Sequence, residues 1–197
     1  MKNNSIIIKA LILVITVVAL GTTVSYAYFQ ATVSGNETTS TINISGATIE
    51  LTYSNGSTLT GNNVLPGWSG TKNFQVKVES PKAISYSVNL VVDSSNFYTS
   101  TDDVSGHASS YLQYKLLSCT ALGTGCSSTL LDTTTLAKTS GTIALKSESK
   151  SAGTFYYQLS VTFPNNTTKA QIQTGSNGKA LSFKGHVTIT STATVSA

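Results

Sequence analysis

Ile84-Ser85-Tyr86-Ser87-Val88-Asn89-Leu90-Val91-Val92 decides the fold. Its apolar residues Ile84, Tyr86, Val88, Leu90 and Val92 fall at every second position, the period at which a strand shows one face to a core and the other to water. The same period recurs on both sides. Ile49, Leu51 and Tyr53 alternate with Glu50 and Thr52, and Phe74, Val76 and Val78 with Gln75 and Lys77. Leu112, Tyr114 and Leu116 continue the pattern, Ile143 and Leu145 suggest a short strand, and Phe155, Tyr157, Leu159, Val161 and Phe163 form a long row. A last strand carries Phe183, Val187 and Ile189 inward, with Lys184, His186, Thr188 and Thr190 outward.

Turn residues separate these rows: Asn55-Gly56, Leu65-Pro66-Gly67, Ser80-Pro81, Pro164-Asn165-Asn166 and Asn177-Gly178. Many strands, Gly/Asn/Pro turns and no helical period after residue 27 predict an all-β, two-sheet sandwich of jelly-roll or Greek-key connection. The order of the strands does not follow from the pattern. The Ser/Thr-rich stretches around Ser54–Asn63 and Thr99–Ser110 read as mobile, and the Thr-rich stretch Asp132–Thr139 precedes the short strand of Ile143 and Leu145.

The chain has 197 residues, 10% of them charged, with no arginine and a formal charge of +4. Two of those positive charges, Lys2 and Lys9, flank an apolar run, Ala10–Leu20, that leads into Gly21-Thr22-Thr23-Val24-Ser25-Tyr26-Ala27. Positive flank, apolar core and small residues before a cut are the parts of a secretory signal, with cleavage expected between Ala27 and Tyr28. A helical run of that length rises about 16 Å, short of the roughly 30 Å of hydrocarbon, so no stable membrane span is expected after cleavage. An uncleaved amino-terminal anchor, lengthened by Ile6-Ile7-Ile8, is the competing reading. The expected organisation is a signal peptide over 1–27, a mature amino-terminal segment over 28–43 and the sandwich over 44–197.

Export sets the reading of Cys119 and Cys126. They enclose a six-residue, Gly-containing loop, the size of a disulfide staple between neighbouring strands in an oxidising compartment. No metal site is expected, because a C-x6-C pair with only His107 and His186 elsewhere forms no zinc pattern. Asp102 and Asp103 beside His107 read as a solvated loop, and the other acids lack calcium-loop spacing. No catalytic fingerprint occurs, no cofactor motif is present, and the scattered lysines give no nucleic-acid footprint. An enzyme is therefore not expected. Trp68, in Pro66-Gly67-Trp68-Ser69-Gly70, reads as a turn residue packed over the sandwich edge, with sugar stacking as its alternative.

Three stretches give the chain a resemblance: the junction Ser25-Tyr26-Ala27-Tyr28-Phe29; Ile44-Ser45-Gly46-Ala47-Thr48-Ile49-Glu50-Leu51; and Val64-Leu65-Pro66-Gly67 leading into Phe74-Gln75-Val76-Lys77-Val78. Across about the first 80 residues this order resembles the TasA/camelysin family of secreted Gram-positive matrix proteins, whose precursors are cut by a SipW-type signal peptidase. The resemblance implies a jelly-roll-like subunit of an extracellular matrix or biofilm fibre. It polymerises by donating its mature amino-terminal strand, here Tyr28, Phe29, Gln30, Ala31, Thr32 and Val33. The alternation of Phe29, Ala31 and Val33 with Gln30 and Thr32 suits a strand that completes another sheet's edge, and such head-to-tail contacts grow filaments. The expectation is that this segment is free at the new amino terminus for a neighbouring copy to accept, and a segment folded wholly within its own sheet counts against polymerisation by this route. The expected partners are other copies or related matrix subunits, and the signal peptidase during export. The competing function is a monomeric secreted adhesin or carbohydrate-binding module.

Overall fold

Strand β10 (Gly153–Thr162) lies at the centre of one sheet because both of its neighbours match its alternation. Tyr157, Leu159 and Val161 point into the core, as do Phe74, Val76 and Val78 of β5 (Ser69–Glu79) on one side and Tyr114 and Leu116 of β7 (Gln113–Cys119) on the other. The computed structural model describes residues 28–34, 40–44, 47–53, 58–97, 111–136, 139–165 and 179–194. The remaining strands are β1 (Tyr28–Ser34), β2 (Ser40–Ile44), β3 (Ala47–Tyr53), β4 (Thr58–Gly61), β6 (Ile84–Ser95), β8 (Ser128–Thr135), β9 (Gly141–Lys150) and β11 (Phe183–Thr194). No helix occurs among the described residues, and the expected signal peptide lies outside them.

All pairings are antiparallel and fall into two sheets. One runs β1-β11-β6-β9, with β4 also on β11; the other runs β2-β3-β5-β10-β7-β8. From β4 onward the chain crosses between sheets at every step except the β7–β8 hairpin. The result is a 4-11-6-9 sheet facing a 5-10-7-8 sheet, the connection of a jelly roll. The expected two-sheet sandwich is thus observed, and β1, β2 and β3 enlarge it on one side. The boundary drawn after residue 43 falls inside β2.

The two inner faces meet in one core. Phe74 stacks on Tyr157 with centroids 5.3 Å apart, and Phe97 meets Phe163 edge-on at 5.1 Å. Leu65-Pro66-Gly67-Trp68 makes a tight turn in which the Trp68 amide donates to the Leu65 carbonyl at 3.0 Å. Gly67 occupies its third position at φ +91°, a conformation open to glycine. Phe163 anchors that turn: the Gly67 amide donates to its carbonyl, and its own amide donates to the Trp68 carbonyl.

The sequence pattern does not show β2, β4 or β8. Strand β4 lies within the stretch expected to be mobile, a correction whose reason is that one of its two buried positions is Gly61, which a hydrophobicity pattern cannot register. The glycine is required there: a Cβ would come within 2.7 Å of the Trp68 ring. Strand β8 runs into the Thr-rich stretch and places Leu130 and Leu131 side by side, so its alternation is lost. The register irregularities opposite Tyr114, Leu116 and Leu117 account for that loss.

Candidate functional site

The site begins at β11, whose outer edge is shared by two short strands. β4 covers Phe183–His186, and β1 covers Thr188–Thr194. The expected donor residues Tyr28, Phe29, Gln30, Ala31, Thr32 and Val33 lie in β1, opposite Thr194, Ala193, Thr192, Ser191, Thr190 and Ile189 in turn. In the single chain they therefore pair with the chain's own sheet, which corrects the expectation of a free donor segment: β11 offers an open edge within reach, and the strand fills it. A donor role requires this ladder to open and form again between copies. Of the expected cleavage pair, Tyr28 opens β1 and Ala27 lies outside the described residues.

β1 and β2 adjoin each other, one on each sheet, and form one flank of the sandwich; β8 and β9 adjoin to form the other. The two flanks differ in regularity. The β1–β11 and β2–β3 ladders run without a register shift, and neither β1 nor β2 contains a charged residue. The β7–β8 and β6–β9 ladders are both irregular. The second flank also carries charge that faces inward: Glu148 of β9 is only 9% exposed and lies 2.9 Å from the Lys150 ammonium. Bulges and inward charges are the devices by which proteins keep edge strands from pairing with strangers.

The expected disulfide is present on this second flank. Cys119 and Cys126 are bonded across the start of the β7–β8 hairpin, and the small loop between them is closed by the mutual Ala121–Thr124 backbone bonds. Gly123 and Gly125 supply its two left-handed positions, at φ +73° and +64°.

Beneath that loop lies a polar chain that the sequence reading did not find. Tyr157 donates its hydroxyl proton to Glu148 Oε2 at 3.1 Å. Having one proton to give, Tyr157 accepts from the Tyr86 hydroxyl at 2.5 Å, a contact that joins the two sheets through the core. Burial pushes both phenols well above their usual range, and for Tyr157 the Glu148 charge adds to the effect. Lys150 extends from Glu148 over the Phe155 ring, 5.1 Å from its centre. The available signal was the period-two row Lys146, Glu148, Lys150 in an otherwise neutral strand. It is out of step by one residue with Ile143 and Leu145, and only the register shift opposite Val88 and Asn89 brings it onto the face of Ile143, so a search for apolar alternation does not reach it.

Trp68 packs against the core, its ring seated over Gly61 and Gly70, which agrees with its reading as a packed turn residue. His186 stands on β11 with Nδ1 3.0 Å from Asp93 Oδ1, so it is paired rather than merely solvated. His107, Asp102 and Asp103 lie outside the described residues. Among the described residues no three His, Cys, Asp or Glu side chains gather as a metal site would require. Neither a family model nor a curated protein matches this chain, so the likeness to the matrix proteins rests on the three short stretches quoted above.

Proposed function

We propose that this protein is a secreted structural subunit of an extracellular matrix fibre, or a component bound along one, with no catalytic role. It assembles by exchange of β1 between copies. One observation carries this reading: the flank made by β1 and β2 has regular, uncharged edge strands, while the opposite flank is bulged, stapled and charged. An unguarded edge is the place where another strand can add.

Exchange conserves the contacts. The ladder broken within one copy is remade with the next, so the gain is set by joining copies and by any strain released, while the cost is kinetic. Because β1 sits at the end of its sheet order, its departure exposes the Thr188–Thr194 edge of β11 and leaves β4 on Phe183–His186. That open edge is the acceptor for the β1 of another copy. The direction is head-to-tail, and a head-to-tail contact that does not close grows into a filament.

The test uses mature protein beginning at Tyr28. It is expected to form long polymers visible by electron microscopy, and removal of Tyr28–Ser34 is expected to leave soluble particles of subunit size. Thr32→Pro/Val33→Pro, which removes two consecutive amides and so at least one ladder donor without shortening the chain, gives the same result if the ladder is the contact. Equal polymerisation by both variants would remove the exchange mechanism.

A further inference from the structure

Under the β9–β10 turn the two sheets part, leaving a cavity of about 250 Å³. It lies between Glu148 and Lys150 on one side and Ser118, Thr120 and Leu130 on the other, with Phe155 along its wall. We propose that this cavity binds one neutral pyranose unit of a glycan.

Three properties of the cavity select that chemistry. The first is charge. Glu148 and Lys150 cancel at 2.9 Å, so an ionic ligand would have to break the pair, whereas a neutral ligand leaves it whole. Glu148 holds a hydrogen bond from Tyr157 and the ion pair with Lys150, and its carboxylate retains lone pairs that accept further hydroxyl donors. The Lys150 ammonium has N–H groups left for ligand oxygens, and the Ser118, Thr120 and Thr154 hydroxyls both donate and accept. A ligand carrying several hydroxyls satisfies such a set.

The second property is the apolar wall. Phe155 and Leu130 are half-buried and pack on the core, so the ligand must also present an apolar face, as the C–H side of a sugar ring does. Size is the third. Pockets for drug-sized ligands span roughly 300–1,000 Å³, and this cavity falls below that range, which limits the occupant to a single ring. The carboxylate that would receive the sugar is fixed in advance by Tyr157 of the opposite sheet, itself bonded to Tyr86 of the neighbouring strand β6, so little ordering is left to be done on binding.

The site lies on the β8/β9 flank, away from β1, and does not depend on assembly. The experiment follows the amide spectrum of the isotopically labelled full chain while methyl glucoside, methyl galactoside or methyl N-acetylglucosaminide is added. Saturable shifts at Ser118, Thr154 and Phe155 are expected for at least one of the three. Glu148→Gln keeps the size of the side chain and loses its charge, and it is expected to weaken that binding about tenfold. Lys150→Met tests the other partner, with spectral dispersion reporting that both variants stay folded and polymer formation reporting that β1 is undisturbed. An oligosaccharide that binds more tightly than its monosaccharide at these same amides would identify a matrix polysaccharide as the source; equal affinity would identify free sugar. No saturable shift with any of the three sugars, or binding that neither variant weakens, would overturn the proposal.

Discussion

The two flanks of the sandwich contrast. On the β8/β9 side, the ladders are bulged, a disulfide ties Cys119 to Cys126, and Glu148 and Lys150 turn charge inward. Among the described residues of the β1/β2 side none of these devices is present, and the ladders are regular. A fold that guards one pair of edges and leaves the other regular directs its pairing capacity to one place. In this chain that place holds the strand nearest the expected new amino terminus, which can leave without threading the rest of the chain through the sheet. The contrast therefore links sequence order to the proposed assembly. A central strand such as β10, bonded on both sides, could not be exchanged without dismantling the core.

The largest effect that would sharpen this contrast is alkaline. Tyr86 and Tyr157 are raised above the ordinary tyrosine value of 10.0 by burial. For an acid whose folded value is raised, the stabilisation is complete below the unfolded value and is lost as pH rises past it. Stability is thus expected to fall above about pH 10, by at most about 1.4 kcal/mol per pH unit for each tyrosine. Denaturant titrations at pH 9 and pH 11 measure the fall, and a Tyr86→Phe/Tyr157→Phe double variant is expected to show less of it. The loss should appear first beside Glu148 on the guarded flank, which exchange protection of β9 against β1 would reveal.

Next comes the disulfide. Its loop is short, with a sequence separation of 7, so opening it by Cys119→Ser/Cys126→Ser is expected to cost about 2 kcal/mol. Polymer formation should be unchanged, because the staple belongs to the other flank. A loss of polymers in a variant that remains folded would break the division between flanks. The smallest effect is expected at Gly67→Ala. The left-handed turn at φ +91° makes a side chain cost about 1 kcal/mol there, read as a lower melting temperature with both flanks intact.

Much of the sandwich was legible in the sequence, for a physical reason. The rows in β3, β5, β6, β7, β10 and β11 alternate because each strand has one face in the core, and Phe74, Leu90, Leu159 and Ile189 are buried as their positions indicated. The disulfide was legible from the spacing of Cys119 and Cys126, read with the expected export. What escaped was set by neighbours distant in sequence. Gly61 buries a strand face through the Trp68 ring, which no local pattern reveals. Glu148 reads as an isolated surface acid until β6 and β10 bring Tyr86 and Tyr157 to it from strands of both sheets. The seat of β1 was not legible either. Its alternation suits any sheet edge, so the residues specify a strand without specifying whose sheet it joins.

That last ambiguity is also the most direct point of attack. Thr32 faces Thr190 and Val33 faces Ile189 in the β1–β11 ladder, and consecutive antiparallel pairs alternate in spacing, so one of the two accepts an engineered disulfide more readily. Paired cysteines are introduced at each position in turn, the protein is allowed to assemble and is then oxidised, and its size is read on a denaturing gel without reductant. Exchange of β1 between copies should give a ladder of covalent dimers, trimers and longer chains. Polymers that resolve entirely into single chains closed on themselves would contradict the account.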